Sequence, residues 1–486
     1  MAKILFAVSE IAPWVKTGGL GDVCAALPEA LHRAGCDVRV LVPAYPALLA
    51  AFPKAPMVAA IPAMDGLRYG AAVRLAHTAD GMPLYLLECH AYFNRQGHPY
   101  LGPEGNDWLD NAWRFGLLSR VAALLASNQT PLDWSPDILH CHDWQTALAP
   151  AYLRYRYPQS QVRSVMTVHN LAFQGLFGRD LLAPLGLPDH AWTIDGIEYH
   201  GYLSFLKAGL EHADTITTVS PSYAREIQTA EGGAGLDGLL RHRQHVLHGI
   251  INGIDTDQWN PATDEYLTGD YVHYDLKHLA KKAKNTAALR HEMGLEARPD
   301  LPLIGIVSRF TQQKGLDLVP PLAEALAALP VQLAVLGSGD RGLEAAFRSL
   351  ATNWPGQFAV RIGFDEALSH RIEAGADLFL MPSRFEPCGL NQMYSLHYAT
   401  LPIVRATGGL NDTVVDASDA ERGDGFVFTE SSSTAVLTAI ERAVATWHDK
   451  PRFKALQRRA VSADFSWQQP AAAYLDLYQK LISTAP

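Results

Sequence analysis

The chain has 486 residues, of which 48% are hydrophobic and 19% charged, and this is enough apolar material for two or three packed domains. Its formal net charge of −10 provides no basic surface for nucleic acid or an anionic membrane. Five widely spaced cysteines without a CxxC pair suit a reducing compartment, and we find neither a signal peptide at Met1 to Val8 nor a bilayer-spanning apolar run. We therefore expect a soluble, cytoplasmic protein that binds neither nucleic acid nor membrane.

The first structural signal along the chain is a strand, a glycine turn and a helix. Lys3 to Val8 is a short apolar strand, and apolar residues recur at helical spacing from Leu20 onwards. The turn between them reads Lys16-Thr17-Gly18-Gly19-Leu20-Gly21-Asp22. Glycines let an anion approach the backbone, the first N–H groups of a helix point towards it, and Lys16 adds a mobile positive charge. The turn therefore predicts a binding site for a phosphate group.

The rest of the N-terminal half predicts a parallel α/β sheet. Short apolar strands alternate with helical stretches, a pattern typical of a parallel sheet covered on both faces; the strands are Asp37 to Pro43, Asp137 to His142, Ser164 to Val168 and Asp214 to Val219. Asn111 to Ala126 is predicted as a helix, and Phe52 to Tyr100 as an insertion with its own hairpins. Ligands bind at the carboxyl ends of such strands, where the sequence has Lys16, Asp143, His169 and Ser220.

The same pattern restarts in the C-terminal half. Ile250 to Asp257 is predicted to cross into a second domain, and Ala262 to Asp300 to form a surface helix with a linker. Further strands are predicted at Leu303 to Val307, Val331 to Leu336, Phe358 to Ile362 and Asp377 to Met381, with a helix from Lys314 and an amphipathic tail at Ala471 to Ile482. We predict two doubly wound, Rossmann-like α/β domains facing across a cleft, over residues 1–252 and 253–465, with 466–486 as a C-terminal helix.

One motif in the second domain favours a different class of protein. Gly337 to Gly342 matches GxGxxG between a strand and a helix, and alone it predicts a dinucleotide-binding oxidoreductase. Two observations count against this reading. The motif follows the second strand of its domain, whereas the dinucleotide fingerprint follows the first, and the nearest candidate for the ribose-binding acid, Asp365, is poorly placed.

Three other turns of the second domain suit a sugar diphosphate, two through their charges and one through its glycines. Arg309 and Lys314 flank the turn after the first strand, while no Asp-x-Asp metal motif stands at a strand end in this domain. Glu386 lies in a turn after a buried strand, where proline, cysteine and glycine neighbours fix its direction. Thr407-Gly408-Gly409-Leu410 repeats the letters of the first glycine turn. We therefore expect both glycine turns to face one phosphorylated ligand.

Together these motifs closely resemble the bacterial glycogen synthases, which share them with plant starch synthases. The resemblance runs from Met1 to the C-terminal helix and rests on five stretches: 16–20, 140–144, 308–315, 384–390 and 407–410. It implies a GT-B fold, with the donor held mainly by the second domain, the glucan by the first, and the last helix crossing back onto the first. It also implies transfer of glucose from ADP-glucose to the non-reducing 4-OH of an α-1,4-glucan with retention, and requires neither cofactor nor metal.

The resemblance also assigns roles to individual residues. It places Glu386, His169, Arg309, Lys314 and Asp143 in the catalytic site: Glu386 and His169 beside the donor sugar, Arg309 and Lys314 on the leaving diphosphate, and Asp143 near the acceptor. Phe364 takes the place of an aromatic against adenine. The other substrate-binding positions are Lys16, Gly18, Gly19, Asp22, Asn252, Ser383, Cys388, Gly389, Leu390, Asn391, Thr407, Gly408, Gly409 and Leu410.

Two positions depart from the patterns of relatives, and several alternatives stay open. Tyr394 stands where the wider clan often has a second glutamate, and Phe93 where some relatives have a tyrosine. Donor choice between ADP-glucose and UDP-glucose rests on resemblance alone, and an inactive glucan-binding protein would share this fold. A glucan phosphorylase would need a pyridoxal phosphate lysine, for which there is no case. His140 and His142 share one face of a strand next to Asp143, but no third ligand at metal-binding spacing is apparent.

Overall fold

The computed structural model describes residues 2–63 and 68–483 and divides the chain into two units. Unit 1 comprises Met1–Gly253 with Trp467–Pro486, and unit 2 comprises Ile254–Ser466. Each unit has its own sheet and its own hydrophobic core. No helix within the described ranges is both long and apolar enough to cross a bilayer.

The sheet of unit 1 is parallel over most of its width. Its strands are β1 (Lys3–Ala7), β2 (Asp37–Pro43), β3 (Met57–Ile61), β4 (Ala71–His77), β5 (Pro83–Glu88), β6 (Ile138–His142), β7 (Arg163–Val168), β11 (Thr215–Thr218) and β12 (Leu247–Gly249). The small β8 (Leu176–Phe177), β9 (Glu198–Tyr199) and β10 (Tyr202–Ser204) pair separately and antiparallel. The strands predicted at Asp137 to His142, Ser164 to Val168 and Asp214 to Val219 are confirmed as β6, β7 and β11, to within one residue at each end.

The strand order of unit 1 locates its ligand-binding edge. The order is β12-β11-β7-β6-β1-β2-β5-β4-β3, so the chain runs outwards in one direction from β1 and then in the other from β6. In doubly wound sheets, a crevice for ligands opens at the carboxyl ends of the two strands where the direction reverses. The turns after β1 and β6 flank that point, and they contain Lys16 and Asp143.

The segment predicted as an insertion with its own hairpins, Phe52 to Tyr100, does contain antiparallel hairpins, but it is part of the main sheet. Its described strands extend the main sheet: β5 pairs parallel with β2, and β4 and β3 then add in antiparallel order. The reason is that Leu84 to Leu87 form a continuous apolar run that is buried on both faces of the sheet, as a central strand requires. Residues 64–67 of this predicted insertion lie outside the described residues.

Helices cover both faces of the unit 1 sheet. They are α1 (Gly19–Arg33), α2 (Pro46–Ala51), α3 (His90–Phe93), α4 (Asn111–Ala126), α5 (Leu148–Arg156), α6 (Phe205–His212), α7 (Pro221–Glu226) and α8 (Asp237–His242). Short 3₁₀ turns lie at Arg179–Leu181, Asp189–Ala191 and Gln244–Val246. The C-terminal helix (Gln468–Ser483) also packs in this unit, where the buried Tyr478 hydroxyl lies 2.7 Å from Nδ1 of His140.

Unit 2 has the strand order of a Rossmann fold. Its strands are β13 (Leu303–Phe310), β14 (Gln332–Gly339), β15 (Phe358–Ile362), β16 (Leu378–Met381), β17 (Leu401–Arg405) and β18 (Phe426–Phe428). They pair in parallel in the order β15-β14-β13-β16-β17-β18. The direction reverses between β13 and β16, so the turns after these two strands flank the expected ligand crevice. Those turns contain Lys314 and Glu386.

The helix predicted to begin at Lys314 begins only at Ala323. Three consecutive 3₁₀ turns occupy Gln312–Lys314, Leu316–Leu318 and Pro320–Leu322 before α10 (Ala323–Ala328) starts. Gly315 has a left-handed φ of 64°, and Pro320 and Pro321 remove two backbone donors, so a regular helix cannot form earlier. The later helices are α11 (Arg341–Asn353), α12 (Glu366–Gly375), α13 (Asn391–His397), α14 (Gly408–Thr413), α15 (Ser433–His448), α16 (Lys450–Ser462) and the C-terminal α17.

The helix predicted on the surface within Ala262 to Asp300 instead buries six of its twelve residues. A 3₁₀ turn at Leu279–Lys281 leads into α9 (Lys282–Met293), which packs against α12. Lys282 is 4% exposed, and its ammonium donates to the carbonyl oxygens of Glu373 and Ala374 and to the Thr400 hydroxyl. Glu373 and Ala374 belong to the last turn of α12, and the free carbonyl oxygens at a helix C-terminus favour a cation. This explains how Lys282, in a lysine-rich segment, can be buried.

Candidate active site

The glycine turn after β1 presents the amino end of α1 at the crevice edge of unit 1. Gly18 precedes the first helical residue, and a Cβ at this position would meet no protein atom within 4 Å. The space in front of the backbone is therefore open for a ligand, and the N–H groups at the start of a helix favour an anion in such a space. Lys16 lies beside them with Nζ 2.8 Å from Oδ1 of Asp22. Both side chains keep about a third of their surface exposed.

A buried carboxylate that the sequence prediction missed holds this turn in place. Glu10 is 1% exposed, and its Oε1 accepts a 2.7 Å hydrogen bond from the Thr17 hydroxyl while Oε2 accepts from the Thr17 N–H. The Tyr100 hydroxyl also donates to Oε1. Burial raises the pKa of Glu10, and these donors oppose the shift. The only sequence signal was an acidic residue directly after a buried strand, six positions before Lys16.

Asp143 and His169 lie together at the ends of β6 and β7. Oδ1 of Asp143 accepts a 2.7 Å hydrogen bond from the His169 N–H and a longer one from the Asn170 N–H. Asp143 adopts a left-handed φ of 53°, which aspartate tolerates better than most residues, and this turns its carboxylate towards the neighbouring strand. Asp143 therefore fixes the backbone that carries His169. Burial raises the pKa of Asp143 to about 7.

The histidines of this edge are neutral at ordinary pH. Burial lowers the pKa of His169 to about 3 and lowers the pKa values of His140 and His142 well below their usual range. Both nitrogens of His140 have partners, Tyr478 and Thr167, so this residue supports the core. Within residues 2–63 and 68–483, no three histidine, cysteine or carboxylate side chains form a cluster that could hold a metal ion.

The raised pKa of Asp143 predicts a pH-dependent contribution to stability. A carboxyl group that titrates near pH 7 in the folded chain and near pH 4 in the unfolded chain stabilises the fold fully only below about pH 4, and this stability is lost as pH rises through 7. Relative to Asp143→Asn, the wild type should lose on the order of 3–4 kcal/mol between pH 4 and 7. Thermal and denaturant unfolding of both proteins across this range measures the difference.

A second aspartate provides the control for this experiment. Arg384 lowers the pKa of Asp317, so the stability change caused by Asp317→Asn should stay constant between pH 5 and 8. If the Asp143→Asn difference is equally flat over that interval, Asp143 is ionised throughout and the burial argument is wrong.

In unit 2, the turns after β13 and β16 bring a lysine and a glutamate into contact. Nζ of Lys314 lies 2.6 Å from Oε2 of Glu386, and the Ser383 hydroxyl donates to the same oxygen at 3.0 Å. The side chains of Lys314 and Glu386 are 19% and 7% exposed. A carboxylate is therefore held by a cation and a hydroxyl at the crevice edge through Oε2, and Oε1 has no hydrogen bond to any of the described residues.

Close backbone contacts explain two glycines around Glu386. Gly315 has φ 64°, and a Cβ there would lie 2.0 Å from the Pro382 carbonyl oxygen. Gly408 has φ 45°, and a Cβ there would lie 2.0 Å from the carbonyl oxygen of Glu386 itself. No other residue type fits either position without moving the Glu386 turn. The turns after β13, β16 and β17 are thus packed against one another.

Further contacts that the sequence did not indicate fix the same turn. Arg384 forms a two-pronged ion pair with Asp317, and its N–H donates to the Gln313 carbonyl oxygen at 2.8 Å. Arg405 donates to the Ser383 carbonyl oxygen at 2.8 Å. A single sequence reveals none of these partners, because each contact joins residues at least 22 positions apart.

The remaining predicted site residues of unit 2 fall into two groups. Ser383, Cys388, Gly389, Leu390, Asn391, Thr407, Gly409 and Leu410 belong to the packed turns around Glu386; for example, the Gly409 N–H donates to the Glu386 carbonyl oxygen at 3.0 Å. Arg309 and Phe364 are exposed at the ends of β13 and β15, and Phe364 is 84% exposed. No contact within the described residues joins either side chain to Glu386.

The predicted site residue Asn252 lies in unit 1. It is 5% exposed, and its buried side-chain oxygen has no hydrogen-bond partner in the described structure.

Comparison with known proteins decides the family. Residues 3–242 match the family model for the starch synthase catalytic domain, and residues 292–459 match that for glycosyl transferases group 1. The chain is 58% identical to the glycogen synthase of Dechloromonas aromatica, with 99% of both chains covered. It is 49% identical to that of Nitrosospira multiformis, covering 99% of this chain and 97% of the relative. The chain belongs to the starch and glycogen synthase family.

A solved structure of this starch and glycogen synthase family agrees in fold. The catalytic domain of starch synthase IV from Arabidopsis thaliana, bound to ADP and acarbose, is 32% identical and aligns with a TM-score of 0.88 over 99% of both chains. The predicted GT-B fold and the resemblance to glycogen synthases are thereby confirmed. Membership of this glycosyltransferase family also counts against the oxidoreductase alternative. The motif does not begin after the strand as expected, because Gly337 to Gly339 are the last three residues of β14 itself.

Proposed function

We propose that this protein transfers glucose from ADP-glucose to the non-reducing 4-OH of an α-1,4-glucan, with retention of configuration. The observation that carries the proposal is the Lys314–Glu386 pair at the reversal point of the unit 2 sheet, where a carboxylate and a cation meet with little solvent. A glycosyl donor requires both, because positive charge develops on the sugar while negative charge develops on the departing diphosphate.

The reaction needs one bond to break and one to form at C1 of the glucose. The bond from C1 to the β-phosphate oxygen breaks, the acceptor O4 bonds to C1 on the same face, and the O4 proton passes to the departing phosphate. Glu386 would stabilise the oxocarbenium-like charge through its free Oε1, since Oε2 is occupied by Lys314 and Ser383. Lys314 and Arg309 would bind the diphosphate, and Phe364 would stack on adenine.

We infer that unit 1 supplies further ligands. Lys16 and the amides of Gly18 and Gly19 would bind phosphate oxygens, as the open space before Gly18 suggests. His169, held by Asp143, would hydrogen-bond the donor sugar. We place the activity in the cytoplasm, in keeping with the five free, buried cysteines. ADP as the nucleotide is supported by the bacterial relatives named glycogen synthase and by the ADP held in the starch synthase structure.

A direct assay tests the proposed function. ADP release should be measured from ADP-glucose with and without glycogen, and from UDP-glucose as the competing donor. We expect ADP release that depends on glycogen, with chain elongation at the non-reducing end. Glycogen binding without nucleotide release would instead identify an inactive glucan-binding protein, and a preference for UDP-glucose would overturn the donor assignment.

Lys16→Ala should weaken donor binding without unfolding the protein. The Lys16–Asp22 pair is partly exposed and contributes little to stability, whereas one charge-assisted bond to phosphate contributes about 1.5–3 kcal/mol. We expect the KM for ADP-glucose to rise by roughly 10- to 100-fold at saturating glycogen, with an unchanged melting temperature. Lys54→Ala, at an exposed lysine in the same unit, is the control. Equal KM values for both variants would show that Lys16 is an ordinary surface charge.

A further inference from the structure

Two adjacent histidines in unit 1 share a hydrogen bond whose direction the structure determines. His142 ends β6 and His169 follows β7, and Nδ1 of His142 lies 3.0 Å from Nε2 of His169. Burial keeps both rings neutral, so each carries one N–H. A hydrogen bond between two ring nitrogens requires a proton on one of them and a lone pair on the other.

Only two arrangements of protons satisfy this contact. In the first, both rings are protonated at Nδ1, and His142 donates to His169. In the second, both rings are protonated at Nε2, and His169 donates to His142. The two arrangements differ at the outer nitrogens: the first leaves His142 Nε2 without a proton and gives His169 an N–H at Nδ1, while the second does the reverse.

The surroundings of His142 Nε2 favour the first arrangement. This atom is fully buried and has no hydrogen-bond partner among the described residues. A buried N–H without an acceptor is disfavoured more strongly than a bare lone pair, because native structures rarely contain orphaned donors. The nearby rings supply no acceptor: Phe6 stacks on His142 with centroids 5.3 Å apart, and both nitrogens of His140 are engaged elsewhere.

We propose that His142 is a positioning residue that fixes His169 as the Nδ1–H tautomer, so that His169 presents a hydrogen-bond donor to an oxygen of the bound sugar. The inference rests on the proposed function for the identity of that ligand. Among the described residues, His142 is the sole hydrogen-bond partner of the His169 side chain, so Nδ1 remains for a ligand. The ligand hydroxyl then accepts from His169 and keeps its own proton for another group.

Three substitutions separate this role from simple packing. His142→Asn places an amide N–H near the position of Nδ1, so it can still donate to His169 and should keep most of kcat/KM. His142→Gln extends its amide towards the position of Nε2 and cannot make that bond. His142→Phe keeps the ring against Phe6 but removes the donor. We expect both latter variants to lose roughly 10-fold in kcat/KM, a size typical of residues that orient a ligand-binding histidine.

Melting temperatures distinguish packing from tautomer control. His142→Phe removes an unpartnered buried nitrogen but also the hydrogen bond to His169, so these opposing effects should leave its melting temperature close to that of the wild type. If activity follows melting temperature through all three variants, or if His142→Asn is as inactive as His142→Phe while both fold, the positioning role is wrong.

Nitrogen-15 NMR of histidine-labelled protein tests the tautomer without turnover. In the wild type, His169 should show a protonated Nδ1 and an unprotonated Nε2. In His142→Phe nothing donates to Nε2 of His169, so the preference for Nδ1–H should weaken and both tautomers should appear, and His142→Asn should restore the wild-type pattern. His169→Asn identifies the resonances. An Nε2–H tautomer of His169 in the wild type would overturn the inference. Absence of glucosyl transfer alongside the expected tautomer would instead overturn the proposed function.

Discussion

Glu386→Gln should lower kcat by roughly 10²–10³ with little loss of stability. Glutamine keeps the shape of the side chain and can still accept a hydrogen bond from Ser383, but it removes the negative charge. That charge stabilises the sugar only as its bond to phosphate breaks, so the loss should fall on kcat while the KM for ADP-glucose changes little. Steady-state kinetics with saturating glycogen, together with melting curves, measures both quantities.

A matched carboxylate in the same unit controls for the loss of charge itself. Asp416 accepts hydrogen bonds from the Val427 and Ser418 N–H groups and pairs with Arg442, away from the turns around Glu386. Asp416→Asn should lower the melting temperature and leave kcat close to that of the wild type. If Glu386→Gln folds and turns over like Asp416→Asn, Glu386 has no part in the chemistry.

The sequence predicted the parts of the fold that depend on local patterns. Short apolar strands followed by polar turns located Lys16, Asp143 and His169 at one sheet edge, and Lys314 and Glu386 at another, because parallel strands end together. The failures were of a different kind. Nothing local distinguishes an apolar strand of the main sheet, such as β5, from a strand of a separate insertion, because only its pairing with β2 decides.

The unpredicted features of the site depend on partners distant in sequence. Glu10 accepts hydrogen bonds from Thr17 and from Tyr100, a residue 90 positions later. Lys282 enters the core because carbonyl oxygens 91 and 92 positions away accept hydrogen bonds from its ammonium. A charged residue is expected to be exposed unless a partner for it is known, and the sequence pattern alone does not identify that partner. The His142–His169 contact is not predictable for the same reason, although each of the two histidines stands at the end of a predicted strand.

Negative charge develops on the diphosphate as it departs, and a positive group must neutralise it. We expect Arg309 and Lys314 to neutralise it, since a guanidinium can grip two phosphate oxygens and an ammonium can follow them. Arg309→Ala is the cleaner test, because the Arg309 side chain is exposed and has no hydrogen bond to the described residues, so its removal leaves no group unpaired. It should lower kcat by roughly 10²–10³.

Lys314→Ala should reduce kcat by a similar factor but also lower stability, because it leaves the buried carboxylate of Glu386 without its cation. Lys314→Arg restores the charge and should recover the stability. The double variant of Arg309 and Lys314 should lose less than the product of the single losses, since both side chains act on one diphosphate. Lys281→Ala, at an exposed lysine of the same unit, should be neutral.

If these two cations carry the diphosphate charge, activity should persist in excess EDTA. Many sugar transferases assign this task to a divalent ion, and in such an enzyme chelation abolishes turnover while the loss of one basic side chain is tolerated. The opposite pattern is expected here: turnover in EDTA should match that in Mg²⁺, and Arg309→Ala should be impaired equally in both. Loss of activity with EDTA and its rescue by Mg²⁺ or Mn²⁺ would overturn this account and direct attention to the residues around His140, His142 and Asp143.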